Sequence, residues 1–180
     1  WASRMTMWVF GYGSLLWNPG FPVARQEVAA LQGFARSFCM SSIHHRGSED
    51  TPGLVLALDE IQGAHCTGLA LAVEAGHEDQ TLTELREREL ISSAYLERDL
   101  KVDLASGETV TAVTYVIDPH HVQYCGGLSL EEQAQIIAVA VGGRGPNPEY
   151  LFNTAAHLAE IGLRDTDLDW LTQRVQALTA

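Results

Sequence analysis

The sequence predicts an α+β fold, and three features of the chain point to it. Short apolar runs bounded by turn residues recur up to Asp118-Pro119, the pattern of buried strands. Beyond that point the apolar spacing becomes helical and stays so. A single helical stretch around residues 81–89 interrupts the strands, so the order is strands with one helix among them, then helices. At 180 residues the chain suits one domain, 1–180, long enough to bury a real core. It begins with Trp1 rather than Met, so residues 1–6 are expected to be a disordered or non-native extension, with Met7 a candidate start.

An apolar run enters the stretch Trp8-Val9-Phe10-Gly11-Tyr12-Gly13-Ser14-Leu15-Leu16-Trp17 and another leaves it. Glycines on both sides of Tyr12 let a strand stop at a tight turn with positive φ accessible. Successive N–H groups in such a turn form a nest for an oxygen carrying negative charge. Familiar glycine motifs do not fit. Leu16 stands where a dinucleotide fingerprint needs glycine, and the stretch has no lysine for a phosphate-binding loop. Tyr12 and Leu16 occupy the glycine positions of a nucleophile elbow centred on Ser14. Ser14 therefore reads as a hydrogen-bonding ligand rather than a nucleophile; a strand end with a tight turn and no ligand is the plainer alternative.

Asn18-Pro19-Gly20 is a turn, and Gln32-Gly33 separates an Ala-rich segment from a strand at Phe34–Met40. A polar loop follows from Ser41 to Gly53, carrying His44, His45, Arg46, Gly47 and Pro52-Gly53. Arg46 fits either a ligand for an anionic group or a solvated loop arginine. Leu54–Leu58 and Thr67–Val73 read as short buried strands. Thr81-x-x-Glu84 fits a capping box that starts the first helix. On that helix Leu82, Leu85 and Glu89 share one stripe, whereas Glu84, Glu87 and Arg88 fall toward solvent. A carboxylate pointing where leucines point is desolvated, its pKa rises, and it becomes a general-base candidate. The alternative is that Glu89, in the last turn, leans out to water.

Leu96–Leu104 nearly alternates and pairs through Ser106-Gly107 with Thr109–Ile117, a hairpin. Ser129-x-x-Glu132 caps a helix with Ala134, Ile137 and Val141 on its apolar side, closed by Gly142-Gly143, so Gly142-Gly143-Arg144-Gly145 reads as a C-cap and loop. Asn147-Pro148 fits N-cap and N1 of the next helix, which turns Leu151, Ala155 and Leu158 inward and ends at Gly162. A last helix runs from about Asp167 to Leu178.

Composition narrows the function. A net charge of −12 with only 11 scattered Lys and Arg excludes a nucleic-acid partner and disfavours an anionic membrane surface. No apolar run reaches spanning length, and no signal-peptide core is evident. Cys39, Cys66 and Cys125 are far apart and never form Cys-x-x-Cys, the usage of a reducing cytoplasm with buried thiols. The histidines, including the adjacent pairs His44-His45 and His120-His121, lack zinc-ligand spacing, so no metal site is expected. What remains is a turn rich in N–H donors, one inward carboxylate and no evident nucleophile. That set suits a reaction in which the substrate supplies its own nucleophile and the protein supplies proton transfer and an oxyanion pocket.

Val9-Phe10-Gly11-Tyr12-Gly13-Ser14-Leu15, Arg46-Gly47 followed by Pro52-Gly53, Arg88-Glu89 with Tyr95 beyond, and Asn147-x-Glu149-Tyr150-Leu151 resemble, in that order, the ChaC-type glutathione-specific γ-glutamylcyclotransferases. The resemblance runs from Trp8 to the last helix. Tyr-Gly-Ser is shared with the broader γ-glutamylcyclotransferase group, while Arg-Gly…Pro-Gly and Glu-Tyr-Leu point more narrowly. It implies a small mixed β-barrel flanked by helices and cleavage of glutathione, a small-molecule substrate, into 5-oxo-L-proline and L-cysteinylglycine. No cofactor, metal or obligate protein partner is implied. In site terms it implies that Val9, Phe10, Gly11, Tyr12, Gly13, Ser14 and Leu15 hold the γ-glutamyl group, that Glu89 transfers protons, and that Arg46 and Tyr150 are substrate ligands. Glu87 also follows an arginine, Arg86, but the helical face and the spacing to Tyr95 favour Glu89. Two other functions fit the same residues: a cyclotransferase for other γ-glutamyl amines or dipeptides, and a non-catalytic regulator that senses a γ-glutamyl ligand, in line with the family's older description as cation-transport regulators.

Overall fold

The computed structural model describes residues 6–90 and 93–180, so the expectation for residues 1–6 falls, apart from Thr6, outside the described residues. The chain divides into two compact units: the described residues up to Arg36 with Leu58–Asp118, and Ser37–Ala57 with Pro119–Ala180. Among the described residues the fold is α+β, with a closed five-stranded barrel and four α-helices.

The strands are β1 (Trp8–Gly11), β2 (Val23–Ser42), β3 (Gly53–Val73), β4 (Tyr95–Leu104) and β5 (Thr109–Ile117), and their order round the barrel is β1-β3-β2-β4-β5. The barrel is mixed. β1 runs antiparallel to β3, from Trp8↔Ala72 to Gly11↔Leu69, and parallel to β5 at Trp8↔Ala112 and Val9↔Val113. In the first unit Trp8, Phe10, Leu31, Phe34, Val102 and Val116 belong to one buried apolar cluster, each such side chain contributing about 1.5–3 kcal/mol when fully buried.

β2 and β3 correct the reading of separate short strands. Gly33 and Gly63 take φ of +85° and +86° inside continuous strands of 20 and 21 residues. A left-handed glycine bends a strand without ending it, so Gly33, which read as a break, is a kink, and β3 likewise runs on through Gly63. The β4–β5 hairpin forms as expected, from Tyr95↔Ile117 to Asp103↔Thr109, with Gly107 at φ +99° in its turn.

Helix α1 (Glu78–Glu89) starts a turn earlier than the Thr81-x-x-Glu84 box. Thr81 is buried within it and donates its N–H to the His77 carbonyl at 2.9 Å. Glu78 and Asp79 supply the negative charge that a helix N-terminus favours.

In the second unit α2 (Leu130–Val139) carries the expected capping box: Glu132 N–H donates to Ser129 Oγ at 3.1 Å and Ser129 N–H to Glu132 Oε1 at 3.0 Å. Its other end differs from expectation. The C-cap is Ala140 in extended conformation, and Val141 is exposed. Gly142 and Gly145 belong to a two-stranded hairpin, β6 (Val141–Gly142) with β7 (Gly145–Pro146). Glycine is required at 142 because a Cβ there would collide with the backbone of His45, Arg46 and Gly47. Helix α3 (Asn147–Glu160) has Pro146, not Asn147, as N-cap, and Asn147 is fully buried. Leu151 and Leu158 are buried, and Gly162 follows the helix at φ +80° as expected. Helix α4 (Thr166–Thr179) is capped by Asp165, whose side chain accepts from Leu168 N–H, and Arg174 joins it to Glu131 of α2.

Candidate active site

The glycine stretch of the first unit ends β1 at Gly11 and continues as a 3-10 turn, Ser14–Leu16. Leu16 N–H donates to Gly13 C=O and Asn18 N–H to Ser14 C=O, both at 2.8 Å. Contrary to expectation, neither Gly11 nor Gly13 takes a positive φ. Gly11 is needed for closeness instead: a Cβ there would lie 3.2 Å from the Leu15 Cβ. Gly68 on β3 has the same role, because its Cβ would strike the Gly11 carbonyl oxygen. A helical turn leaves its first N–H groups without an intrahelical partner, so donors remain at Gly13 and Ser14. Val9, Phe10 and Leu15 have buried side chains, so their backbone is what they can present to a ligand. Tyr12 and Gly13 are half-buried and Ser14 is exposed.

The stripe expected on α1 is present. Leu85 is buried, Leu82 half-buried, and Glu84 and Glu87 exposed. The Glu89 side chain is only 17% exposed, so it does not lean out to water. Burial pushes its carboxyl above the usual carboxylate range, against the opposing pull of the Arg88 charge. Arg88 is exposed, as expected, but its guanidinium is engaged. It donates from Nη2 to Ser14 Oγ and from Nη1 to the Asn18 carbonyl, each at 2.8 Å, and its Nε lies 3.6 Å from Glu89 Oε1. The last turn of α1 is thereby fastened to the glycine turn.

A second arginine fastens the same helix end to the hairpin. Arg86 donates through Nε and Nη2 to the two oxygens of Glu97 on β4, both at 3.0 Å. Tyr115, directly opposite Glu97 on β5, donates its hydroxyl to Glu97 Oε1 at 2.9 Å. Burial first, then the Glu97 bond and charge, drive the Tyr115 phenol far upward, so it stays protonated and acts as a donor. Arg36, 9% exposed, donates from Nε to the Tyr12 carbonyl at 2.8 Å and from Nη2 to the Thr67 carbonyl at 2.7 Å, tying the turn to β2 and β3.

In the second unit Arg46 and Tyr150 meet each other. The Arg46 guanidinium lies 5.7 Å from the Tyr150 ring centroid and donates to the Pro146 carbonyl at 3.1 Å and Glu149 Oε1 at 3.3 Å. Its side chain is 14% exposed, unlike a solvated loop arginine. Tyr150 accepts from Leu56 N–H at 3.2 Å and packs edge-on against Phe38. Cys39 and Cys66 are buried and Cys125 half-buried. Among the described residues no group of three or more His, Cys, Asp or Glu side chains is placed to hold a metal ion, and no helix is long and apolar enough to cross a membrane.

The family model described as ChaC-like protein matches residues 7–178. The chain belongs to the ChaC-like family. Among relatives of this ChaC-like protein, one from Escherichia coli (strain K12) named glutathione-specific γ-glutamylcyclotransferase is 37% identical over 174 residues, 97% of this chain and 74% of the relative. A Danio rerio relative named glutathione-specific γ-glutamylcyclotransferase 1 is 36% identical over 158 residues, 86% of this chain and 80% of the relative. The crystal structure of a yeast γ-glutamylcyclotransferase specific to glutathione shares the fold, with a TM-score of 0.82 and 24% identity over 97% of each chain.

The contacts that Arg36, Glu97, Tyr115 and Arg88 make around the candidate site escaped the sequence reading. Arg36 shares a strand face with Phe34 and Phe38, so a charge on an apolar face was the signal for it. Glu97 and Tyr115 follow from counting the hairpin register outward from Ser106-Gly107. Arg88 carries no such signal, because a helical wheel records where a Cβ points and not how far a guanidinium reaches.

Proposed function

We propose that the chain is a glutathione-specific γ-glutamylcyclotransferase, an enzyme that converts glutathione into 5-oxo-L-proline and L-cysteinylglycine with Glu89 as the proton-transfer group. The observation that carries this reading is the Glu89 carboxyl, largely withdrawn from water beside an arginine bonded to Ser14. The names of the Escherichia coli and Danio rerio relatives support the substrate. In this reading the chain works as one γ-glutamylcyclotransferase domain, and the activity is assigned to the cytoplasm on the cysteine usage.

The α-amine of the γ-glutamyl group is the nucleophile. It sits at five-membered-ring distance from the γ-carbonyl, so the task of the protein is to fold a flexible chain into attack geometry. Glu89 takes a proton from the α-ammonium group. The freed amine attacks the γ-carbonyl carbon, and N–H groups at Gly13 and Ser14 meet the oxyanion. The bond from that carbon to the cysteinyl nitrogen then breaks as Glu89 returns its proton to that nitrogen, without which an amide leaves poorly, and the ring nitrogen releases its second proton to solvent to give the neutral lactam. One carboxyl with a raised pKa serves both steps, since a raised value strengthens the base and leaves the acid willing to give the proton back. Tyr150 and Arg46 are assigned as substrate ligands, Arg46 to a carboxylate.

The test is purified protein with glutathione and no added cofactor, with 5-oxoproline and cysteinylglycine measured together. Equal amounts of both are expected from glutathione, and little from γ-glutamyl dipeptides or γ-glutamyl-lysine offered alongside. Glu89→Gln should keep the fold and lose turnover by about 10²–10⁴-fold, the usual contribution of a general acid–base group. Full activity in that variant, or loss confined to Glu87→Gln, would overturn the assignment.

A further inference from the structure

Arg88 grips the 3-10 turn at two points, the Ser14 hydroxyl and the Asn18 carbonyl, each at 2.8 Å. A guanidinium carries donors and no acceptor. Toward Arg88 the Ser14 oxygen can therefore only accept, and its own proton must point elsewhere. Among the described residues no acceptor takes that proton, and Ser14 is exposed. A hydroxyl held in this way is committed to donating to whatever occupies the turn.

The same guanidinium lies against Glu89, with 3.6 Å between Nε and Oε1. Among the described residues the other polar neighbours bring no free positive charge to that carboxyl. Tyr115 on β5 faces it as a neutral phenol, while Glu97 on β4 and Arg86 on α1 are paired with each other. Ser14 and Asn18, on the turn, are uncharged. We propose that Arg88 is a positioning residue for the cyclisation: it commits Ser14 to donate to an oxygen of the γ-glutamyl group and holds a positive charge against Glu89. The proposal rests on Glu89 being the proton-transfer group. Lysine would keep the charge but not the fork, because the two bonds leave Arg88 from different nitrogens of one rigid plane.

The experiment is a set of pH profiles of kcat/KM with glutathione for the wild type, Ser14→Ala, Arg88→Lys, Arg88→Gln and both double variants with Ser14→Ala. Folding is checked by circular dichroism and thermal melting. Arg88→Gln should lower kcat/KM by about 10–100-fold, as expected for loss of a hydrogen bond from a charged group. Its acid limb should move to higher pH, because losing a nearby cation raises the pKa of the carboxylate that must be ionised. Arg88→Lys should leave the limb in place. In both backgrounds Ser14→Ala should cost little more, since the serine is no longer oriented.

An unmoved acid limb in Arg88→Gln would overturn the proposal. So would a Ser14→Ala effect equal to that in the wild type, measured in either background. If Arg88→Gln does not fold, the Ser14 effect in the Arg88→Lys background decides alone. Full activity of Glu89→Gln would overturn the parent reading, whereas an inactive Glu89→Gln with additive Ser14 and Arg88 effects overturns this inference only.

Discussion

Asn147 satisfies both polar backbone groups of Leu54: its Nδ2 donates to the Leu54 carbonyl at 2.9 Å, and Leu54 N–H donates to its Oδ1 at 2.8 Å. One side chain thus does for a buried strand residue what a neighbouring strand would. Asn147→Ala should strand both groups, each costing about 1–3 kcal/mol, and so destabilise the protein by about 2–6 kcal/mol. Urea unfolding measures the loss.

The raised carboxyl of Glu89 predicts that activity and stability part company. The folded protein binds that proton more tightly than the unfolded chain, so stability falls as pH rises from the unfolded pKa through the folded one. Glu89→Gln should therefore melt at a higher temperature than the wild type at neutral pH while losing turnover. The acid limb of wild-type kcat/KM should lie above the ordinary carboxylate range, because the base works only when ionised. Parallel melting and rate profiles across pH check both outcomes.

Glu97 shifts the other way. Hydrogen bonds from Arg86 and then from Tyr115 hold its carboxyl below the usual range, against partial burial. Its contribution to stability is present above the unfolded pKa and lost as pH falls through the folded one. Tyr115→Phe removes one donor and should cost about 1 kcal/mol while raising the pKa of Glu97. Carbon-detected NMR titration of the Glu97 carboxyl reads the shift directly.

Glu149 competes for the guanidinium that the proposed function assigns to a substrate carboxylate. With Glu149 half-exposed and 3.3 Å from Arg46, the pair should contribute no more than about 1 kcal/mol to stability. Glu149→Gln should therefore leave the melting temperature nearly unchanged and lower KM for glutathione, whereas Arg46→Ala should raise it. Steady-state kinetics with unchanged KM in both variants would remove Arg46 from the substrate ligands.

How far the sequence could be read depended on how local each signal was. The capping box at Ser129 and Glu132 and the hairpin turning at Gly107 are decided within a few residues, and both formed as expected. The inward stripe that carries Glu89 is likewise a property of one helix. Gly33 misled because a strand kink and a strand end use the same residue, and only pairing partners far along the chain separate them. Asn147 misled for a related reason: its amide suits a helix cap, but it is engaged by Leu54, 93 residues away. Gly142 looked like a helix stop, yet the requirement on it comes from the backbone at His45–Gly47.

The pairing of β1 with β5 has a temporal consequence. The strand that leads into the glycine turn is made first, but its parallel neighbour begins at Thr109. Chain closure across so many residues is entropically slow. During synthesis the segment containing Tyr12 and Ser14 must wait, half-flanked, until more than a hundred residues have emerged, so the glycine turn belongs to the late events of maturation.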